Sequence, residues 1–199
     1  MSRLTLFWAS SDSASKYKKF RFIALYILCF GVIIALICSL YSLILRALYP
    51  TDYSEYVKRY SEEYGLSEAL VYSVILCESD FDPTAVSGAG AGGLMQLQRS
   101  TFDWMLERYG LPEGDIFGPE DNIRAGCAYL HYLTNRFIDT ETVLAAYNGG
   151  EGNVTKWLAD ERYSEDGRTL KVIPFHETEL YVRRVTAAIV KYEKIYNIK

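Results

Sequence analysis

The side chains that could do chemistry in this sequence are carboxylates. The chain has two histidines, His131 and His176, and neither stands in the spacing that zinc sites use. The sequence contains no nucleophilic serine elbow and no phosphate-binding glycine loop. No metal and no cofactor are therefore expected, and acid and base catalysis by an aspartate or a glutamate is the chemistry that remains.

Glu78 has the surroundings expected of a catalytic acid. Ser67 can cap a helix whose apolar positions form one face, and this helix is predicted to end before Asp82-Pro83. Glu78 then lies in the last turn, where it faces the negative end of the helix macrodipole. This position, together with burial against apolar neighbours, favours the protonated carboxyl, so the pKa of Glu78 is predicted to be raised.

The elements that must position Glu78 are predicted to be helices. Helical spacing or helix-terminal residues mark six further segments. They are residues 53 to 64, 100 to 110, 119 to 137, 140 to 147, 152 to 160 and 177 to 196. Residues 87 to 93 are too rich in glycine for a regular element and predict a loop. Since no alternating pattern of comparable strength predicts a strand, the domain is expected to be mainly α-helical.

The N-terminus carries a candidate transmembrane helix. Residues 22 to 45 form a run of 24 residues in which two serines and two tyrosines are the polar side chains. At about 1.5 Å per residue this run is long enough to cross a hydrocarbon core of roughly 30 Å. A cleaved signal peptide has a shorter apolar stretch and a small-residue cleavage site, which the residues after Leu45 do not supply well. An uncleaved anchor is favoured over a signal peptide and over a buried core helix.

The charges that flank this run predict its orientation. The six residues before it carry four cations, Lys16, Lys18, Lys19 and Arg21, whereas Arg46 is the one cation near its far end. The positive-inside rule places the N-terminus in the cytoplasm, so a single-pass protein of the cell membrane is predicted. Its parts are a cytoplasmic segment, a transmembrane helix, a linker and an extracytoplasmic domain, at residues 1–21, 22–45, 46–52 and 53–199.

The net charge bears on nucleic-acid binding, and the cysteine content bears on disulfide formation. A net charge of −4 and a pI near 5.3 provide no basic field for nucleic acid, which is not expected to bind. Cys77 and Cys127 are the two cysteines of the outer domain. A disulfide is chemically permitted outside the cell, but two buried thiols fit the sequence equally well, and free thiols are slightly favoured.

Six short motifs follow one another along the outer domain. They are Glu78-Ser79-Asp80-Phe81, Ala85-Val86-Ser87, Gly93-Leu94-Met95-Gln96, Asn122-Ile123 with Gly126 and Tyr129-Leu130, Ala146-Tyr147-Asn148, and Ile173-Pro174-Phe175 with Glu177-Thr178 and Tyr181. In this order they resemble the catalytic domain of the soluble lytic transglycosylases, a lysozyme-like family. The resemblance covers roughly residues 53 to 196. It implies a lysozyme-like helical domain, here preceded by one transmembrane helix.

The resemblance also implies a reaction on the glycan strands of peptidoglycan. In such enzymes one glutamate, which Glu78 matches, protonates the oxygen between N-acetylmuramic acid and N-acetylglucosamine. The same glutamate then acts as base toward the C6 hydroxyl of the muramoyl residue, which closes to a 1,6-anhydro sugar. The intramolecular hydroxyl replaces the second carboxylate, which hydrolases place about 5 to 9.5 Å from the acid.

The same resemblance implies a set of substrate-binding residues. They match a sugar-positioning serine, two residues of the cleft wall, a tyrosine whose hydroxyl approaches the glutamate with the asparagine after it, and a C-terminal pair that closes the cleft. The set is Ser87, Met95, Gln96, Tyr147, Asn148, Glu177 and Tyr181. Plain core packing remains an equal alternative for Met95, a helix cap for Asn148 and a helix-start residue for Glu177.

Two other functions remain open at this point. A muramidase-like or chitinase-like hydrolase on the same fold would need a second carboxylate, and the candidates are Asp80, Asp82, Asp103 and Glu177. A catalytically weak peptidoglycan-binding scaffold of an envelope complex would not need Glu78. Anhydro products indicate the transglycosylase, reducing ends indicate the hydrolase, and replacement of Glu78 by glutamine separates cleavage from binding.

Overall fold

The computed structural model describes the chain from Leu4 to Ile198. It divides into two units, of which the first ends at Leu48 and the second begins at Tyr49. The first unit is one helix, α1 (Leu4–Leu48). Within it Phe20–Leu48 is long and apolar enough to cross a membrane, and none of its most apolar window is buried inside the protein.

The second unit is built from seven helices. They are α2 (Ser54–Tyr64), α3 (Glu68–Ser79), α4 (Arg99–Tyr109), α5 (Pro119–Thr134), α6 (Thr140–Gly149), α7 (Glu151–Leu158) and α8 (His176–Tyr196). Between Leu4 and Ile198 there is no extended strand, and pairing between extended segments is limited to two isolated antiparallel bridges at Gly92. The predicted helices and the mainly α-helical class are confirmed, with helix ends that differ by a few residues.

Helix α3 lies at the centre of the second unit. The Ser67 hydroxyl accepts a hydrogen bond from the Leu70 amide at 3.2 Å and so caps the start of the helix. Every residue from Ala69 to Ile75 is buried, so the helix is covered on all sides rather than on the one face that the sequence suggested. Its neighbour α8 presents a buried stripe at helical spacing that includes Tyr181, Val185 and Tyr192. Each such side chain contributes roughly 1.5–3 kcal/mol by burial.

The compact unit begins at Tyr49, earlier than the predicted boundary at residue 53. The Tyr192 hydroxyl donates a hydrogen bond to the Pro50 carbonyl at 2.7 Å, and the Tyr196 hydroxyl donates one to the Tyr49 carbonyl at 2.6 Å. Both tyrosines belong to the last turns of α8. Much of the predicted linker is therefore part of the folded unit, because its backbone is held by the C-terminal helix.

The glycine-rich loop between α3 and α4 is fixed by a buried asparagine. Asn122, which is fully buried in α5, accepts a hydrogen bond from the Met95 amide at 2.7 Å. Its side-chain nitrogen donates to the carbonyl oxygens of Gly92 at 3.0 Å and Ile116 at 2.7 Å. Gly93 has a φ of 78°, and a Cβ at this position would overlap the Asn122 amide and the Ile116 carbonyl. The loop can approach α5 this closely only because residue 93 is glycine.

Candidate active site

Glu78 lies in the last turn of α3, where the chain turns sharply into the loop. The next residue, Ser79, donates a hydrogen bond to the Leu94 carbonyl at 2.8 Å and so attaches the helix end to the loop. Asp80 and Phe81 follow with φ values of 52° and 64°, in the left-handed region that non-glycine residues seldom occupy. The strained turn places the half-buried Glu78 side chain at the boundary between the core and the surface.

Burial dominates the electrostatics of Glu78. Loss of hydration raises the pKa of its carboxyl from the ordinary 4.5 to about 7, as the sequence predicted. The Tyr181 hydroxyl and the positive charge of Arg184 act in the opposite direction, since both favour the carboxylate. With a pKa near neutrality, Glu78 can both donate a proton and accept one.

Tyr181 brings a buried hydroxyl to Glu78. Its ring is 1% exposed, and burial together with the charge of Glu78 raises the pKa of the phenol well above its usual value. The hydroxyl is close enough to lower the pKa of Glu78, yet it lies outside good hydrogen-bonding geometry with any described residue. The Tyr181 hydroxyl therefore interacts with the carboxyl of Glu78 and favours its ionised form.

Tyr147 also lies near Glu78, but its hydroxyl donates its hydrogen bond to a different group. The hydroxyl donates a hydrogen bond to the Met95 carbonyl at 2.7 Å. Burial first and the charge of Glu78 second raise the pKa of the Tyr147 phenol well above its usual value. The sequence predicted a tyrosine hydroxyl that approaches the glutamate. In the structure Tyr147 is close to the carboxyl and fastens the glycine-rich loop to α6.

Met95 is a core residue in this structure and not part of an open cleft wall. Its side chain is fully buried, and its sulfur fills the hollow over Gly126, where a Cβ would overlap it. The alternative of plain packing is the one that the structure supports, because Gly126 leaves room for a thioether between α5 and the loop. Met95 acts on the site through its carbonyl, which accepts the proton of Tyr147.

The side-chain amide of Gln96 has its nitrogen engaged in hydrogen bonds to the loop, whereas its oxygen is not. It has a φ of 46°, and its side-chain nitrogen donates hydrogen bonds to the carbonyls of Ala85 at 3.0 Å and Gly93 at 2.9 Å. These bonds use both amide protons, so the donor that the sequence assigned to sugar recognition serves the loop instead. The side-chain oxygen is left as an acceptor for a sugar hydroxyl or acetamido group.

Ser87 closes the other end of the loop. Its hydroxyl oxygen accepts the Ala91 amide at 3.0 Å, and its own amide donates to the Ala91 carbonyl at 2.9 Å. The two remaining members of the predicted set are exposed, Asn148 in the last turn of α6 and Glu177 in the first turn of α8. Glu177 stands four residues before Tyr181, on the same face of that helix.

Sequence reasoning missed Arg184. This exposed residue follows Tyr181 by three positions, and its charge lowers the pKa of both Glu78 and the half-buried thiol of Cys77. The spacing of residues 177, 181 and 184 places them on one face of α8. This helical spacing could have indicated from the sequence that Arg184 lies beside Tyr181. For Cys77 burial outweighs the arginine and raises the pKa to about 11, so the free thiol stays protonated.

In the part of the chain that the structure describes, no group of three or more histidine, cysteine, aspartate or glutamate side chains could hold a metal ion. The site consists of one half-buried acid at the end of a central helix, the buried Tyr181, the half-buried Tyr147 and a loop held by hydrogen bonds. This arrangement, in a helical domain, fits the lysozyme-like fold class that the six motifs implied.

The chain belongs to the transglycosylase SLT domain family, whose family model matches residues 55–169. The resemblance drawn from the six motifs is thereby confirmed. The soluble lytic murein transglycosylase of Escherichia coli K12 is 32% identical over 149 residues, which cover 72% of this chain and 23% of that protein. The membrane-bound lytic murein transglycosylase C of Serratia proteamaculans is 37% identical over 123 residues, which cover 55% of this chain and 34% of that protein.

Solved structures of the same family share the fold. An inactive mutant of the lytic transglycosylase Slt from Pseudomonas aeruginosa matches with a TM-score of 0.66 and 32% identity, over 75% of this chain and 25% of that one. The 70 kDa soluble lytic transglycosylase of Escherichia coli matches with a TM-score of 0.67 and 28% identity, again over 75% and 25%. The matched part of this chain thus spans 23% to 34% of the length of these relatives.

Proposed function

We propose that this protein is a peptidoglycan lytic transglycosylase in which Glu78 is the single catalytic acid and base. The observation that carries the proposal is the state of Glu78, a half-buried carboxyl with a pKa of about 7 and no second carboxylate contributing to that value. A lone acid of this kind suits a reaction in which one group first gives a proton and then takes one.

In the first step protonated Glu78 gives its proton to the oxygen between N-acetylmuramic acid and N-acetylglucosamine. The bond from that oxygen to C1 of the muramoyl sugar breaks, and the N-acetylglucosamine side leaves as an alcohol. Positive charge develops at C1 while Glu78 becomes a carboxylate. The Tyr181 hydroxyl and the charge of Arg184 both stabilise the carboxylate, since both lower the pKa of Glu78.

In the second step Glu78 takes the proton of the C6 hydroxyl of the same muramoyl sugar. The C6 oxygen bonds to C1, which yields the 1,6-anhydro ring and returns Glu78 to its protonated form. Atoms balance without water. Proximity of the hydroxyl replaces the second carboxylate that hydrolysis needs.

The residues that bind the sugar are proposed from their positions. Gln96 offers a side-chain oxygen, and the Ser87 hydroxyl proton remains available because the oxygen serves as acceptor within the loop. Asn148 of α6 and Glu177 of α8 are exposed, and both are proposed to contact the bound sugar. Met95 and Tyr147 contribute by holding the loop in shape.

The candidates for the second carboxylate of a hydrolase are engaged elsewhere or exposed. Asp82 accepts hydrogen bonds from the amide and hydroxyl of Thr84 at 2.8 and 2.7 Å. Asp103 pairs with Arg99 at 3.0 Å on α4. The other two, Asp80 and Glu177, are exposed and do not contribute to the pKa of Glu78. These observations favour the transglycosylase over the hydrolase.

The membrane anchor forms the second part of the proposal. Residues 22–45 of α1 would span the membrane, with residues 1–21 in the cytoplasm and the catalytic unit outside, where peptidoglycan lies. The apolar length of Phe20–Leu48 and the cations that precede residue 22 support this arrangement. A family relative that is named as membrane-bound supports an anchored enzyme in general.

The test uses the full chain in detergent micelles with purified peptidoglycan, and mass spectrometry of the released fragments. The wild type should release muropeptides that are lighter by one water than reducing-end muropeptides, and Glu78→Gln should release none. Glu62→Gln, which changes an exposed glutamate of α2, is the matched control and should behave as wild type. Reducing-end products would establish a hydrolase, and binding without release by folded wild type would establish a scaffold.

A further inference from the structure

The apolar helix α1 and the folded unit are joined without a spacer. Helix α1 ends at Leu48, and the second unit begins at the next residue, Tyr49. The Tyr49 carbonyl accepts a hydrogen bond from the Tyr196 hydroxyl at 2.6 Å, and the Tyr49 ring packs edge-on against the Tyr192 ring with 5.6 Å between centroids. The Pro50 carbonyl accepts a hydrogen bond from the Tyr192 hydroxyl at 2.7 Å. The chain therefore enters the folded unit directly after α1, with no residues left over to act as a flexible linker.

Tyr192, which holds this point of attachment, belongs to the core of the folded unit. Its side chain is fully buried. Its ring stacks on the Tyr72 ring of α3 at a centroid distance of 5.3 Å and on the Tyr196 ring at 6.0 Å. Because these contacts connect the first residues of the unit to both α3 and α8, the position of Tyr49 is fixed relative to the two helices.

The same two helices carry the candidate active site, so its distance from the attachment point can be measured along them. Tyr192 follows Tyr181, whose hydroxyl acts on Glu78, by about three turns of α8, or roughly 16 Å. Along α3, Glu78 follows Tyr72 by less than two turns, or roughly 9 Å. When the width of the side chains is included, both paths place the Glu78 carboxyl on the order of 20 Å from Tyr49.

This distance limits how far from the membrane the site can act. In the proposed topology the span ends at residue 45, and residues 46–48 of α1 add roughly 4.5 Å before Tyr49. The Glu78 carboxyl therefore stays within roughly 25 Å of the hydrocarbon core, whatever angle α1 makes with the folded unit. Glycan that lies farther from the membrane is out of reach, because a connection too short to span two sites gives an effective concentration near zero.

We propose that the substrate of this site is a glycan strand that is still tethered to the same membrane through a lipid pyrophosphate at its end. The proposal rests on the proposed function and narrows its substrate from peptidoglycan in general to strands that polymerisation at the membrane has just supplied. The first sugars of such a strand lie within the reach of Glu78. Confinement of enzyme and strand to one membrane surface also raises their effective concentration. The bond that breaks and the 1,6-anhydro product are unchanged.

The test compares two forms of one glycan polymer, with the full chain reconstituted in vesicles of phosphatidylcholine and phosphatidylglycerol. The tethered form is the uncross-linked polymer, anchored in the same vesicles by its own lipid. The released form is the same polymer at the same concentration, detached from its lipid by mild acid. Wild type should produce anhydro-ended fragments from the tethered form at least about tenfold faster than from the released form.

A variant with a flexible insert between Leu48 and Tyr49 isolates the effect of the direct connection. An insert of about 60 glycine and serine residues has a mean end-to-end distance of roughly 40–45 Å and lets the folded unit move away from the membrane. The preference for the tethered form should then fall about threefold to tenfold, while the rate on the released form stays at the wild-type value. The matched control carries the same insert after Lys199, where it does not lengthen the connection to α1, and should keep the wild-type preference.

Equal rates of wild type on the two forms would overturn the proposal, as would an unchanged preference in the variant with the insert after Leu48. An equal fall in the control would also overturn it, because the insert would then act without changing the reach of the site. Cleavage of the released form by the full chain in detergent micelles is the second readout. No cleavage there would refute the proposed function, and this proposal with it, whereas cleavage there without a preference in vesicles would refute the membrane-tethered substrate alone.

Discussion

Replacing Glu78 by glutamine should make the protein more stable at alkaline pH while it abolishes catalysis. Folding raises the pKa of this carboxyl from 4.5 to about 7 because its charged form loses hydration. Glutamine has nearly the same shape and never ionises. The wild type therefore carries a pH-dependent cost that the variant lacks, and that cost can be measured as a difference in the free energy of unfolding.

The sign of the effect follows from the two pKa values. Below pH 4.5 Glu78 is protonated in both the folded and the unfolded chain and makes no difference to stability. Between pH 4.5 and 7 Glu78 loses its proton in the unfolded chain but keeps it in the folded chain, so stability falls as the pH rises. Above pH 7 Glu78 is ionised in both states, and the free-energy cost of its burial no longer increases. At about 1.4 kcal/mol for each pH unit between the two values, it amounts to up to about 3 kcal/mol.

The assay is urea unfolding of the full chain in detergent micelles at several pH values from 4 to about 8.5. It is followed by the fluorescence of the three tryptophans, of which Trp104 and Trp157 belong to the second unit. The difference in unfolding free energy between Glu78→Gln and wild type should grow by up to about 3 kcal/mol across this range, in favour of the variant. Glu62→Gln, at an exposed position, should remain parallel to wild type. Parallel curves for Glu78→Gln and wild type would show that Glu78 is ordinarily hydrated and would refute the reasoning.

Three further predictions concern the same site. The rate of muropeptide release should fall about tenfold for each pH unit above 7, because the first step needs protonated Glu78; a flat profile to pH 9 would contradict this. Tyr181→Phe removes a hydroxyl that favours the carboxylate, so the alkaline limb of that profile should move to higher pH, and a shift to lower pH would be inconsistent with the geometry. Gly93→Ala should cost about 3 kcal/mol or more in a thermal melt, since its φ is 78° and the Cβ meets Asn122, whereas Gly88→Ala, with open space around it, should stay within about 0.5 kcal/mol.

The order of the helices and the position of the catalytic acid could be predicted from the sequence because they depend on local patterns. Ser67 caps α3 by accepting a hydrogen bond from the Leu70 amide, three residues further along the chain. The position of Glu78 in the last turn of that helix follows from the number of residues after the cap. The run before Leu45 was apolar enough to predict α1 without any knowledge of the fold. The motif order along the chain pointed to the family, which the family model then confirmed.

What only the tertiary structure decided is which atoms remain free once the elements pack. The sequence motif assigned both Met95 and Gln96 to the cleft wall, with core packing as an equal alternative for Met95. Packing buried the Met95 sulfur over Gly126 and committed the Gln96 protons to the loop. The partners of these groups come from segments distant in the chain, so no local pattern encodes them.

Contacts between distant segments also determine the roles of the two tyrosines and the pKa of Glu78. The sequence alone determined that a carboxyl would stand at a helix end, among apolar neighbours, in a mainly helical domain. Only the packing of α8 against α3 decided that the Tyr181 hydroxyl and the charge of Arg184 both act on Glu78. A pKa depends on distances and on excluded water, and these exist only when the chain has folded.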